Sequence, residues 1–354
     1  MEYKKRARAA LLIWLAAATA LAGVETEEPA DANATWVDET HRWISREIVD
    51  WADRLDATLA SWLGGGERDA EEGSRTTELM KERRTAERFF QTRKYLNETP
   101  NAYIRARLDA YMASKESGDL NARVSLHLPL VRAQRRLRLF VEDFNDENAK
   151  EVTEKTPEGS SDTSPKFGLN YFATRAFGVV SKYSLGFSGL YPYARARYNT
   201  VFQPGGWAVE PVQTFRYSTK DEFAEQTDLY CDTEVSEDSI FRIHLLRGTR
   251  SHKDGMYYGA AVSFSHLFTP RRGLRLVQSF SGDTDYEYTP EGETESRTYS
   301  GIYNYTTALG YRTDIWRHWL FVEVVPAVNF HKEYGYSPNY SLRFYLDLFF
   351  GNYR

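Results

Sequence analysis

The clearest candidates for acid–base or nucleophilic chemistry are one serine and three histidines. Ser125 and His127 are two residues apart, so an extended backbone would place both on one face. Catalysis by Ser125 would also need a third group to orient the histidine and a site for an oxyanion. No HExxH, GxSxG, P-loop or GxGxxG motif has suitable flanks. We therefore predict no catalytic residue, and we interpret His127, His244 and His331 as members of a polar network.

A stronger chemical signal comes from arginines at every second position, as in Arg105-Ala106-Arg107 and Arg195-Ala196-Arg197. In an extended chain such arginines share a face, and guanidinium groups that line an enclosed space favour anions. The alternative is an internal network of ion pairs that fills the space and leaves no passage. The residues assigned to this face are Arg105, Arg107, Asp109, Arg123, His127, Arg136, Arg138, Arg195, Arg197, Arg242, His244, Arg343 and Asp347.

The composition excludes several classes of protein. A mean hydropathy of −0.58 over 354 residues is too low for a helical membrane protein with several spans. Aromatic residues make up 15% of the chain, which is typical of strand-rich proteins with aromatic girdles. The single cysteine, Cys231, excludes a disulfide scaffold and a cysteine-based metal site, so we predict no metal and no cofactor. A net charge of −5 gives no reason to expect nucleic acid as a partner.

Residues 1–22 have the composition of a secretory signal peptide. Four basic residues precede an apolar stretch from Ala9 to Ala22, which ends in the small-residue pattern Ala20-Leu21-Ala22. About 14 apolar residues are few for a membrane-spanning helix. We therefore expect the mature protein to be exported, with residues 23–35 as a flexible lead.

Residues 36–63 change to a helical period. Their apolar face is predicted to hold Trp43, Ile48, Trp51, Leu55, Leu59 and Trp62, and three glycines at 64–66 end the helix. Tryptophans on such a helix suit a bilayer interface or a groove in a protein. Three placements stay open: at the periplasmic rim of a barrel, inside its lumen, or on a periplasmic partner protein. We predict that residues 64–102, which are highly charged, form a periplasmic linker.

From residue 103 to the end, segments of about ten residues alternate in hydrophobicity and are separated by turns. In the last segment, Tyr340 to Phe350 carry apolar residues at even positions, against Arg343 and Asp347. This period of two predicts strands. The segments match the length of about 9–11 residues of transmembrane strands, and their second face carries full charges. A soluble sandwich would also alternate, but it would need a second sheet to cover each apolar face.

We count about 14 strands, with 12 as an alternative because 178–201 alternates poorly and because Gln213 and Gln278 fall on the apolar face. The two longest predicted connections, 145–165 and 282–297, follow the third and eleventh strands and therefore leave the same rim. The predicted fold is an all-β membrane protein, in which residues 103–354 form an antiparallel transmembrane barrel after a periplasmic amphipathic helix. An even number of strands leaves both termini periplasmic.

These features resemble the bacterial outer-membrane β-barrel proteins, over roughly 250 residues and by pattern rather than by a unique motif. The segment from Tyr340 to Phe350 is similar to the C-terminal signal that the barrel-assembly machinery reads, although Gly351 to Arg354 extend beyond the aromatic end. The resemblance implies a Gram-negative outer membrane as the location. It also implies membrane lipid, lipopolysaccharide and the assembly machinery as partners.

Three functional hypotheses follow. The first is a porin-like pore for small anionic or zwitterionic solutes, with an arginine-rich lumen. The second is a structural, assembly or export-associated barrel whose N-terminal helix plugs the lumen or docks on a periplasmic protein. The third, a lipid-modifying enzyme, has Ser125 and His127 as its best pair of residues.

Overall fold

The computed structural model describes residues 36–63, 89–90, 103–130, 137–142, 166–173, 178–220, 222–290 and 294–351. The predicted signal peptide and flexible lead lie outside these residues, as does Arg136. The chain divides into two units, Met1–Trp43 and Ile44–Arg354.

Helix α1 runs from Trp36 to Leu63. Asp38 and Glu39 occupy its first turn, where carboxylates interact favourably with the helix dipole. No helix in the described ranges is both long enough and apolar enough to span a membrane. Trp43 and Trp51 of the predicted apolar face are 63% and 48% exposed, and Trp36, at the start of the helix, is 76% exposed.

The buried stripe of α1 differs from the predicted face. His41, Ala52 and Asp56 are buried, whereas Ile48 and Leu55 are half-buried. The side chains of Leu59 and Trp62 lie outside the described part of the chain.

Fourteen antiparallel strands follow in the described residues, and they close into a barrel. The strands are β1 (Tyr103–Ala113), β2 (Asp119–Leu130), β3 (Leu137–Glu142), β4 (Lys166–Phe172), β5 (Val180–Ser188), β6 (Tyr191–Asn199), β7 (Trp207–Ser218), β8 (Glu222–Ser236), β9 (Ser239–Arg250), β10 (Lys253–Thr269), β11 (Arg272–Tyr288), β12 (Arg297–Ile315), β13 (Arg317–His331) and β14 (Pro338–Gly351). Each strand pairs with its neighbours in sequence, and β1 pairs with β14 to close the ring. The prediction of an all-β antiparallel fold after one helix is confirmed.

The wall of the barrel is apolar outside and polar inside. In β1 and β2, Leu108, Leu120 and Val124 point outward and are exposed, whereas Asp109 and His127 point inward and are buried. The same division holds around the ring, since most buried polar residues of the strands lie on the inner face. Buried polar residues of the inner face include Asn170, Lys182, Asn199, Glu210, Asp228, Arg242, His244, Ser279, Asn304, Arg312, Asn339 and Asp347.

The two ends of the barrel differ in their connections. At one end, here named the turn rim, β8–β9, β10–β11 and β12–β13 join through 237–238, 270–271 and Trp316. The other end, here named the loop rim, carries the connections 143–165 and 289–296. Hairpins of two residues also occur at the loop rim, at 189–190 and 251–252, so its connections are not uniformly long.

The predicted connection 282–297 is wrong in part, because β11 continues to Tyr288 and β12 starts at Arg297. Its acidic residues suggest a solvated loop, but the aromatic residues between them stabilise a hairpin. Tyr286 stacks on Tyr303 from the next strand, with ring centroids 4.1 Å apart. Buried aromatic pairs between neighbouring strands stabilise strand pairing. The hairpin is therefore longer than the acidic residues of the sequence suggest.

Candidate functional site

The inner wall at strands β1, β14, β13 and β12 carries a chain of buried ion pairs. Arg107 donates through Nε and Nη2 to the two carboxylate oxygens of Asp347, at 2.6 and 2.7 Å. Arg312 donates through Nη1 to Asp347 at 2.8 Å and to Glu323 at 3.0 Å. The bidentate geometry and the complete burial of Asp347 make this the most tightly held carboxylate of the wall.

A second set of ion pairs continues the chain towards the loop rim. Asp109 accepts from Arg123 at 3.4 Å and lies 3.6 Å from Nε of Arg343. The guanidinium carbon of Arg343 lies 4.8 Å from the ring centre of Tyr111, and that of Arg107 lies 4.4 Å from that of Tyr345. Stacking on a ring holds a guanidinium group extended along the wall.

These pairs, with Arg105, form what we name the seam network: Arg105, Arg107, Arg123, Arg312, Arg343, Asp109, Glu323 and Asp347. Five arginines face three carboxylates, so the network has an excess of positive charge. Arg107 and Arg123 stand directly opposite each other across β1 and β2, an arrangement of like charges that weakens strand pairing. Nε of Arg105 is buried without a hydrogen-bond partner among the described residues.

A smaller polar cluster occupies the inner face of β8 and β9. Arg242 forms a bidentate pair with Asp232 at 2.6 and 2.8 Å, and His244 contacts Asp228 at 2.9 Å. The ring of His244 stacks on Tyr230, with centroids 4.2 Å apart. Arg242 and Asp232 neutralise each other across β8 and β9, so this cluster serves mainly to hold the two strands together.

The remaining predicted inner residues are less closely associated. His127 stacks on Tyr103 from the neighbouring strand, and Arg195 stands opposite Arg216 across β6 and β7. Arg197 stands opposite Thr214 across β6 and β7. Arg138 lies in β3, but its side chain is outside the described part of the structure, as is the whole of Arg136.

Ser125 and His127 both lie on the inner face, opposite Arg105 and Tyr103 of β1. No hydrogen bond joins Ser125 to His127 in the described structure, and the His127 ring packs on Tyr103 instead. Among the described residues, no group of three or more histidine, cysteine or acidic side chains could hold a metal ion.

At the turn rim, the inner wall is aromatic. Phe89 and Phe90 pack against Leu267, with Ile240 and Phe321 at the edge of the cluster. These two phenylalanines fall within residues 64–102, which the sequence predicts to be a linker. Since they are 9% and 5% exposed, at least this part of the segment is held in the barrel.

At the loop rim, tyrosines gather at the ends of β11, β12 and β13. The hydroxyl of Tyr286 donates to Glu333 at 3.0 Å, and Nζ of Lys332 lies 4.5 Å from the ring centre of Tyr299. Burial, with the hydrogen bond to Tyr299, raises the pKa of Tyr336 in the β13–β14 connection, so its hydroxyl stays neutral. The cluster ties the connections at this rim to the strands.

Sequence reasoning missed Arg312, which occupies the centre of the seam network. The signal was present, because Ala308, Gly310 and Arg312 alternate with Leu309 and Tyr311 in the same way as the better segments. The alternation is weak here because two of the three inner residues are small and only one is charged. Asp232, the partner of Arg242, was missed in the same way.

No family model and no curated protein matches the chain. Among solved structures, it is similar to the KdgM porin in complex with disordered oligogalacturonate, at 9% identity over 69% of this chain and 98% of that one, with a TM-score of 0.33. It is similar to OmpT, an outer-membrane protein of Vibrio cholerae, at 10% identity over 71% and 97%, with a TM-score of 0.42. An anion-selective porin from Comamonas acidovorans gives 9% identity over 70% and 98%, with a TM-score of 0.42. These structures come from the outer-membrane class that the sequence resembles, but likenesses this distant carry no information on function.

Proposed function

We propose that the chain is an outer-membrane β-barrel of a Gram-negative bacterium, with a lumen that passes small anionic or zwitterionic solutes. The observation that carries the proposal is the seam network, where five arginines face three carboxylates on the inner wall. Inside a barrel with low-dielectric walls, such an excess raises the local concentration of anions.

The outer face supports a location in lipid. Leu120, Val124 and Leu185 are 74%, 60% and 65% exposed and lie on the outside of a closed wall. Apolar surface that encircles a protein exceeds the patch of a few hundred Å² that a soluble monomer tolerates. Stacked rings such as Phe215 and Phe223 add to an aromatic girdle. We place the turn rim and both termini in the periplasm, because outer-membrane barrels keep their shorter turns there.

Reconstitution of the mature protein in planar bilayers tests this proposal. A barrel of this size encloses an aqueous space unless a segment fills it. We expect stepwise increases in conductance as single barrels insert. A protein that folds and inserts, as shown by its protease resistance, but gives no conductance in any variant would contradict the proposal.

A second candidate function is a structural or assembly role in which α1 docks on a periplasmic partner. The observation that favours it is the exposure of Trp36, Trp43 and Trp51 on one helix. A photo-crosslinking residue at Trp51 should then give a product with another protein in intact cells. The same residue at the buried Ala52 is the matched control and should give none. Products with lipid alone from Trp51 would contradict docking.

The register of β8 makes a separate prediction about Cys231. Cys231 pairs with Ile243 on the outer face, whereas Tyr230 pairs with His244 on the inner face. A thiol in lipid does not ionise readily, so a membrane-impermeant maleimide should not label Cys231 in intact outer membranes but should label it after denaturation. Gln226→Cys, made together with Cys231→Ser, moves the thiol to the inner face and should be labelled. Ready labelling of native Cys231 would mean that the register of β8 is off by one residue.

A further inference from the structure

Phe89 and Phe90 occupy a fitted socket on the inner wall at the turn rim. Their rings meet edge to face, with centroids 5.1 Å apart, and Phe89 makes a second edge contact with Phe321 at 6.2 Å. Leu267 closes the socket from the side and is itself fully buried. The two phenylalanines are held by packing alone, because among the described residues no hydrogen bond joins Phe89 or Phe90 to the strands.

Gly273 makes room for this contact. A Cβ atom at Gly273 would lie 2.8 Å from Cδ2 of Leu267 and 2.9 Å from a ring carbon of each phenylalanine, and these distances are shorter than Cβ atoms normally show. The missing side chain of Gly273 therefore leaves a space on the inner face, and the two rings fill that space. Gly310 on the neighbouring strand has no such restriction, because a Cβ there would be 3.4 Å or more from every neighbour.

The socket adjoins the seam network. Gly273 pairs across β11 and β12 with Arg312, and the guanidinium carbon of Arg312 lies 4.9 Å from the ring centre of Phe321. Arg312 is 1% exposed, yet its Nε and Nη2 have no hydrogen-bond partner among the described residues. Two buried donor atoms of a charged group without partners are costly. Phe321 lies over Arg312, and Phe89 packs on Phe321. An anion could therefore satisfy the two donor atoms if the phenylalanines that pack on Phe321 moved away.

We propose that Phe89 and Phe90 form a removable stopper at the turn rim, and that withdrawing it uncovers Arg312 as a binding point for a carboxylate or phosphate group. The stopper goes beyond the proposed function, since it requires only an enclosed passage. The binding point rests on the proposed function, because it needs an anion in the lumen. The absence of hydrogen bonds to the wall allows the rings to leave their socket without breaking a strand.

Single-channel conductance of full-length variants tests the stopper. In F89A/F90A we expect the conductance to rise about twofold or more, because the passage widens at the turn rim. G273A should raise it as well but by less, since the added methyl group crowds Leu267 and both rings while leaving the two phenylalanines in the chain. G310A places the same methyl group one strand away and should behave like the native protein. Equal conductance of F89A/F90A and the native protein overturns the stopper.

Inorganic phosphate tests the binding point. Added to F89A/F90A, it should reduce the chloride current at a concentration about tenfold lower than in the native protein, because the Arg312 donors are then uncovered. R312K in the same background keeps the charge opposite Asp347 and Glu323 but loses the free Nε and Nη2, so the phosphate effect should disappear. Equal sensitivity of the native protein and F89A/F90A, or an effect that survives R312K, overturns the binding point.

The outcomes separate this inference from the proposed function. A current through F89A/F90A that prefers cations would contradict an anion pore and leave the stopper standing. An anion-preferring current of equal size in the native protein and F89A/F90A would support the pore and overturn the stopper.

Discussion

Replacing Arg123 and Arg343 together with glutamine will shift the permeability ratio of chloride over potassium towards potassium by roughly 25-fold. Both arginines pair with Asp109, so the double variant removes two positive charges and leaves the carboxylate in place. A charge a few ångströms from the path of an ion is worth about 1 kcal/mol in water, or roughly fivefold in local concentration. The measurement is the zero-current potential across a bilayer that separates two concentrations of KCl.

Arg247→Gln is the matched control for this experiment. Arg247 is exposed on the outer face, where it lies 3.9 Å from Glu225. Its removal changes the net charge of the protein by one unit without changing the inner wall, so the permeability ratio should stay the same. If Arg247→Gln shifted the ratio as strongly as the double variant, net charge rather than the wall would govern selectivity.

Asp347→Asn will lower the free energy of unfolding by about 3–5 kcal/mol, because it leaves two buried arginines without their shared partner. Arg107 and Arg312 both donate to this fully buried carboxylate. The asparagine has nearly the same shape, so the loss reflects charge rather than a cavity. Urea unfolding of the protein from lipid vesicles, followed by tryptophan fluorescence, measures it.

Asp254→Asn makes the same chemical change at an exposed position near the loop rim. Surface substitutions of this kind usually change stability by no more than about 0.5 kcal/mol. A similar loss in both variants would show that Asp347 has no special role, and unchanged stability of Asp347→Asn would contradict the geometry of the seam network.

The strands at the end of the chain were predictable because their two faces differ strongly. In β14, alternation alone assigns Arg343 and Asp347 to one face, and the structure has both side chains on that face. The pairing of Asp347 with Arg312 was not predictable. It joins residues 35 positions apart through a third strand, and period-two patterns contain no information on which strands are neighbours.

Local charge misled the prediction of one other segment. The acidic run from Asp283 to Glu295 indicates a loop, but half of it is strand because tyrosines on alternate positions pack across the hairpin. Residues 64–102 remain a predicted linker, and within them Phe89 and Phe90 are buried. Two adjacent aromatic residues in a polar segment were the feature of the sequence that indicated burial. Where the pair binds was not predictable, because it depends on the space beside Gly273.

The most direct test of an anion-preferring lumen is the sign of the zero-current potential of the native protein in a KCl gradient. If the excess of arginine in the seam network governs the passage, chloride crosses faster than potassium, and the dilute side becomes negative. The preference should weaken as salt rises, because screening shortens the reach of the wall charges from about 10 Å at 0.1 M to about 3 Å at 1 M. A positive potential on the dilute side, which is the mark of potassium preference, would contradict the account.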